Sequence, residues 1–173
     1  LHKGVEIVEF GPLTEAHRRD LEGDEQDPFD ARGIGVEFRS KDRHVGLCDG
    51  AGRLVASTGI LVVEVEVERE RFAVVGLGGV IVNAHHRGRG LGRRVVEAAL
   101  VTATRLGPAF AMLFCHDDRA GLYQKVGFSR VNAEVVVRQS AGYAPMPQRT
   151  MWRPLHGEHA WPPGRVVVHS LPF

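Results

Sequence analysis

The stretch Val80-Ile81-Val82-Asn83-Ala84-His85-His86-Arg87-Gly88-Arg89-Gly90-Leu91-Gly92 limits the possible folds of this chain more than any other. An apolar strand-type run enters a turn that carries Gly88, Gly90 and Gly92. The period then changes: Leu91, Val95, Ala98, Ala99, Thr102, Ala103 and Leu106 recur at helical spacing and predict an amphipathic helix over 90–106. Such a helix must lay its apolar stripe back on a sheet, which demands a layered α/β arrangement. The turn also has a chemistry. Glycine allows positive φ and close approach of a ligand to the backbone. The first N–H groups of a helix lack intrahelical partners, and the helix dipole favours an anion there. Arg87, Arg89, Arg93 and Arg94 add positive charge, so a diphosphate is the expected guest.

Two common phosphate sites do not fit. A P-loop needs Gly-Lys-Ser/Thr after the turn, whereas this chain has Gly92-Arg93-Arg94. A dinucleotide fingerprint needs GxGxxG, and Gly88-x-Gly90-x-Gly92 has the wrong spacing. By itself the turn could also be a tight strand–helix connection with no ligand.

The rest of the chain supplies the layers. Val5 to Glu9 is a strand, and Thr14 stands as N-cap of a polar helix over 15–21. Asp20 to Arg32 is acidic and broken by Pro28, and reads as a loop and short-helix region with a possible continuation as a helix at 36–39. His44 to Cys48 is a strand, Asp49-Gly50-Ala51-Gly52 a hairpin turn, and 53–68 a long strand. Its end alternates Val63, Val65 and Val67 with Glu64, Glu66 and Glu68, which predicts one buried and one wetter face. After a turn at Glu68 to Arg71, the strand 72–82 leads to the glycines. Beyond the helix come a strand at 110–115, a helix at 119–126 capped by Gly127, and a strand at 130–138. Ser140 to Gly164 holds five prolines and is expected to be a long loop before a final strand at 165–170. The fold class is therefore mixed α/β, one domain over 1–173, with a mostly antiparallel central sheet flanked by helices.

Composition removes several functional classes. With 173 residues, 43% hydrophobic and 25% charged, the chain can build one ordinary core. A net charge of +1 argues against nucleic acid as partner. Cys48 and Cys115 lie far apart without metal-ligand spacing, so both are expected reduced and no metal is implied. No apolar run approaches the roughly 20 residues needed to span a bilayer, and no signal-peptide pattern is visible. A cytoplasmic address with no membrane partner is the expectation.

Downstream of the turn, Asp117-Asp118-Arg119-Ala120-Gly121-Leu122-Tyr123-Gln124-Lys125-Val126-Gly127-Phe128 adds a second motif. Arg87, Gly90 and Gly92 follow an R-x-x-G-x-G pattern, and the later segment resembles N-x-x-A-x-x-F/L-Y-x-K-x-G-F. In this order and separation, the two motifs resemble the GNAT superfamily of N-acetyltransferases, with residues 44–138 fitting its element order. The resemblance implies acetyl-CoA as co-substrate. It implies that Val80, Ile81 and Val82 form a splayed strand whose backbone holds the pantetheine arm. It implies that the amides of Arg87, Gly88, Arg89, Gly90, Leu91, Gly92 and Arg93 hold the pyrophosphate. Tyr123 takes the position that protonates the departing thiolate; a half-buried packing tyrosine is the alternative.

The chain departs from the family at the general base. Strand 72–82 carries no acid where many members have a glutamate. His116, just past the strand 110–115, is the first substitute, with His169 and Glu37 behind it. His85 and His86 read as cofactor-rim residues. The acceptor site is expected from the N-terminal region, the hairpin near 67–71 and the loop 140–164, with Asp24, Glu25, Asp27 and Asp30 available to attract a cationic amine. Trp152 and Trp161 could wall that site or anchor the loop. A weaker resemblance, to aminoglycoside N-acetyltransferases, rests on the long hairpin, Leu122-Tyr123 and the ending 164–172, while Gly78 stands where those enzymes carry their acid. The expected function is acetyl transfer to a primary amine of a small molecule. A silent acyl-CoA sensor and a protein N-acetyltransferase are the alternatives, and a homodimer is compatible with the family.

Overall fold

The computed structural model describes residues 4–23 and 34–173, so Asp24, Glu25, Asp27 and Asp30 lie outside the described residues. The elements run β1 (Glu6–Phe10), α1 (Glu15–Glu22), β2 (Arg43–Cys48), β3 (Leu54–Val67), β4 (Glu70–Val82), α2 (Leu91–Thr104), β5 (Phe110–Cys115), α3 (Ala120–Lys125), β6 (Ser129–Arg130), β7 (Val135–Gln139), β8 (Gly142–Pro145), β9 (Arg149–Pro154) and β10 (Val166–Val168). They build one mixed sheet in the order β6-β9-β5-β4-β3-β10-β7-β8, with β1 and β2 added along the first half of β3. β4 and β5 run parallel, as do β10 and β7; the other pairs are antiparallel. Among the described residues, no helix is long and apolar enough to cross a membrane.

Burial on both faces fixes the register. All six residues of β5 are buried. Ala111, Leu113 and Cys115 pack with Val95, Ala99 and Ala103 of α2 and with Tyr123 and Ala120 of α3. Phe110, Met112 and Phe114 join Val63, Val65, Val67, Val137 and Val168 in a second cluster. A one-residue slip of β5 would exchange these two sets, so the alternation specifies the pairing. Thr14 caps α1 as expected: its Oγ accepts from the His17 amide at 3.1 Å, and its own amide donates to His17 Nδ1. Asp20 ties α1 to the sheet by accepting from the Leu54 amide at 3.2 Å through its side chain and from Asn83 Nδ2 at 2.6 Å through its carbonyl.

Three expectations fail. Residues 36–39 are not helical but an extended strap. The Glu37 amide donates to Gln139 Oε1 at 2.7 Å and the Arg39 amide to the Pro172 carbonyl at 2.8 Å. The stretch 130–138 is two strands: β6 pairs with β9, while β7 pairs with β10 and β8 near the other edge. The stretch 140–164 holds β8 and β9, and β9 inserts between β5 and β6, pairing from Phe110↔Pro154 to Cys115↔Arg149. Pro145 and Pro154 are the last residues of their strands, where a missing N–H does least harm. Proline density therefore hid two strands instead of excluding them.

Candidate active site

The site begins where β4 and β5 stop pairing. Their ladder holds at Val75↔Ala111, Gly76↔Met112 and Leu77↔Leu113, yet β4 continues to Val82 and β5 to Cys115. On the β3 side the register shifts between Ser57 and Gly59, Gly79 takes φ 62°, and Thr58 Oγ donates to the Gly78 carbonyl at 3.2 Å. This irregularity bends β4 away from β5. A cavity of about 440 Å³ opens at the parting, lined by Leu77 to Val80 from β4 and Leu113 to His116 from β5. Arg18, Arg119, Tyr123, Gln148, the segment Phe38–Asp42, His44 and Phe173 also line it.

The glycine turn lies at the end of β4. After Val82, a short 3₁₀ turn over Ala84–His86 is capped by the Asn83 side chain, which accepts from the His85 amide at 2.9 Å. Gly88 and Gly90 adopt left-handed φ of 78° and 74°, which glycine takes without a Cβ penalty. Gly90 is the N-cap of α2 and provides no side-chain cap, so the first-turn amides at 91–93 stay available. Arg87 Nε donates to the Val82 carbonyl at 3.2 Å, and Arg93 pairs with Glu97 at 2.8 Å. The side chains of Leu91 and Ile81 are buried in separate clusters, so these two positions can offer only backbone to a ligand. A Cβ at Gly92 would sit at 3.7 Å from Leu122 and Val82, an ordinary contact. A diphosphate group fits this turn, with its uncapped α2 N-terminus and open glycine surfaces.

Tyr123 stands on the inner face of α3, 5% exposed, with its ring edge-on to Phe128. Burial, helped by nearby Cys115 and opposed by Arg119, pushes its phenol up to about 12. It therefore keeps its proton at neutral pH. Cys115 is buried beside Met151, and burial pushes its thiol up to about 11, which makes it a poor nucleophile. His116 ends β5 on the cavity wall, with Nε2 at 3.5 Å from Gln148 Nε2. The structure thus brings Tyr123, His116 and Val80 to one cavity.

Other candidates lie elsewhere. His169 bonds Tyr143 at 2.7 Å and Glu66 at 3.3 Å, outside the cavity lining. The Glu37 carboxylate accepts from Ser140 Oγ at 2.8 Å and does not line the cavity. The hairpin turn at Glu68 and Arg69 lies toward the far end of the β4–β5 pair, because the cavity opens at the C-terminal ends of these strands. Of the stretch 140–164, only Gln148 reaches the cavity. Trp152 and Trp161 are anchors: with Phe72 and Phe110 they form an aromatic cluster whose neighbouring ring centroids lie 5.2–6.2 Å apart, around the start of β5.

The missing acid has a steric cause. A Cβ at Gly78 would lie 2.3 Å from the Phe173 carbonyl carbon, 2.6 Å from its oxygen and 3.2 Å from Lys41 Cε. The Phe173 ring fills the adjoining space over Gly76 and against Phe114. Across the sheet, His44 pairs with Gly59 and Gly59 with Gly78. The two glycines leave a channel in which Lys41 lies; a Cβ at Gly59 would meet its chain at 2.7 Å. Burial, reinforced by Arg39, pushes the Lys41 ammonium down to about 8. His44 is 4% exposed, with Nδ1 at 2.7 Å from the Gly11 carbonyl and its ring stacked on Phe10, and burial lowers its pKa. Sequence reasoning missed Lys41 and His44 because no local pattern marks a side chain that crosses glycines on neighbouring strands.

Comparison with known proteins agrees with this geometry. Residues 24–131 match the family model described as "Acetyltransferase (GNAT) domain". Glucosamine 6-phosphate N-acetyltransferase 1 of Oryza sativa subsp. japonica is 33% identical over 87 residues, 50% of this chain and 53% of the rice protein. The chain thus matches about half the length of that relative. The fold resembles the GNAT family N-acetyltransferase YhbS of Escherichia coli in complex with CoA (TM-score 0.59, 21% identity, 96% of this chain and 90% of that one). It also resembles a GCN5-related N-acetyltransferase of Kribbella flavida (TM-score 0.55, 16% identity, 88% and 98%). With a family model covering more than half of its residues and this curled, splayed sheet, the chain belongs to the GNAT acetyltransferase family.

Proposed function

We propose that the chain is an acetyl-CoA-dependent N-acetyltransferase acting on a primary amine of a small molecule. The observation that carries the reading is the parting of β4 and β5, with the uncapped α2 N-terminus beyond the end of β4 and a buried, protonated Tyr123 on the cavity wall. Amides at 87–93 hold the pyrophosphate, and the unpaired edge at Val80 to Val82 receives the pantetheine arm. Acetyl-CoA supplies the thioester acyl donor. Tyr123 Oη donates a proton to the sulfur as it leaves, and His116 takes the proton released by the attacking amine. Because Phe173 excludes a side chain at position 78, no acid at that position shares this work. Arg39, Lys41 and Arg119 around the cavity lower the amine's own pKa, which favours its neutral, nucleophilic form. The rice relative is named for acetylating glucosamine 6-phosphate, a small amine, and this supports a small-molecule acceptor.

Calorimetry with acetyl-CoA and CoA, followed by thiol release with an amine panel, tests the reading. Micromolar binding with turnover on some amine is the expected result. Binding without turnover on any amine favours an acyl-CoA sensor, and no binding refutes the assignment of the glycine turn.

A further inference from the structure

The charge on the cavity wall has one dominant sign. Among the described residues lining it, Arg18, Arg39, Lys41 and Arg119 are cations, and Asp42 is the one side-chain carboxylate. Partners account for little of this charge. Arg18 reaches Glu22 at 3.7 Å on the surface, and Arg39 donates to the neutral Ser170 Oγ at 3.3 Å. Lys41 has no side-chain hydrogen bond or ion pair among the described residues, although the main-chain carboxyl group of Phe173 lies on the same wall. Its aliphatic stem fills the channel over Gly59 and Gly78. A half-buried ammonium is costly to hold unless anions pair with it, and no described side chain does so here. The CoA phosphates do not meet this need, since the glycine turn has its own amides and Arg87, Arg89, Arg93 and Arg94.

Resting on the acetyltransferase reading, we infer that the acceptor is an amine that also carries an anionic group, phosphate or carboxylate, paired with Lys41 and flanked by Arg39. An acceptor with several ammonium groups would meet like charge on this wall. One with a single amine and an anion places the anion on Lys41 and leaves the amine for the thioester. Lys41 is thus a specificity-determining residue.

Binding tests this without relying on turnover. With CoA present, the whole chain is titrated calorimetrically with matched acetylated products: an N-acetyl amino acid against its amide, and an N-acetyl aminohexose against its phosphate ester. We expect the anionic member of at least one pair to bind about tenfold more tightly or better. The pair that responds tells carboxylate from phosphate. Lys41→Gln should bring the ratio toward one, and Lys41→Arg should keep most of it. Equal affinity within both pairs, no binding of either, or an unchanged ratio in Lys41→Gln would overturn the inference. The acetyltransferase reading fails separately, when no amine releases thiol although CoA binds.

Discussion

Gly78→Ala is the substitution for which this structure reverses the ordinary expectation. Replacing a strand glycine with alanine normally stabilises by about 0.5–1 kcal/mol, because the unfolded chain loses freedom. Here the added methyl carbon would lie 2.3 Å from the Phe173 carbonyl carbon and 2.6 Å from its oxygen. Carbon atoms rest at about 3.5–4.0 Å, so the Phe173 backbone must retreat by about 1 Å or more. It cannot do so freely. Its ring is 2% exposed against Phe114, and the Arg39 amide holds the preceding Pro172 carbonyl at 2.8 Å. Overpacking of this kind costs about 1–3 kcal/mol, and full expulsion of the ring would cap the loss at about 3–5 kcal/mol. A loss of about 2 kcal/mol lowers the melting midpoint of a domain this size by about 4–8 °C. Urea unfolding and thermal melts at pH 7 measure it, on the wild-type and on a Phe173→Ala background. The two changes share one space, so the Gly78→Ala cost should shrink once the ring is gone. A stabilised Gly78→Ala, or a cost that simply adds to Phe173→Ala, would refute the steric account of why position 78 carries no acid.

Three other outcomes follow from the same geometry. Tyr123→Phe should lower kcat by about 100-fold or more while leaving CoA affinity within about twofold, as read by thiol release and calorimetry; an unchanged kcat would reduce Tyr123 to packing. Gly90→Ala should cost about 1–2 kcal/mol of stability and weaken CoA, because φ is 74° there, whereas Gly92→Ala should leave stability within about 1 kcal/mol. Lys41→Met should raise stability by about 3 kcal/mol at pH 7, since the native ammonium has fallen from its ordinary 10.5 to about 8. Below pH 8 both folded and unfolded chains hold this proton and the native state bears the full burial cost. The cost fades as pH rises from 8 to 10.5, so the variant's advantage in urea unfolding should vanish across that window; an advantage constant with pH would contradict it.

What the sequence alone determined is local or periodic. The strand into the glycine turn, the stripe of α2, the alternation at Val63, Val65 and Val67 and the Thr14 cap each depend on residues within a turn or two of one another, where spacing maps directly onto geometry. The placement of Tyr123 on α3 followed from a motif of the same short range. Tertiary structure decided what depends on which strands become neighbours. β9 found its place between β5 and β6, although the prolines of the stretch 140–164 argued for a loop. Phe173, distant in sequence, came to fill the space over Gly76 and Gly78 and removed the site for an acid. Lys41 crossed two glycines on adjacent strands to reach the cavity, and His169 and Glu37 were drawn into hydrogen bonds elsewhere. Register across a sheet brings together residues far apart in the chain, and no local pattern encodes that pairing. The glycine turn was therefore legible in one dimension, while the charge around the cavity emerged only in three.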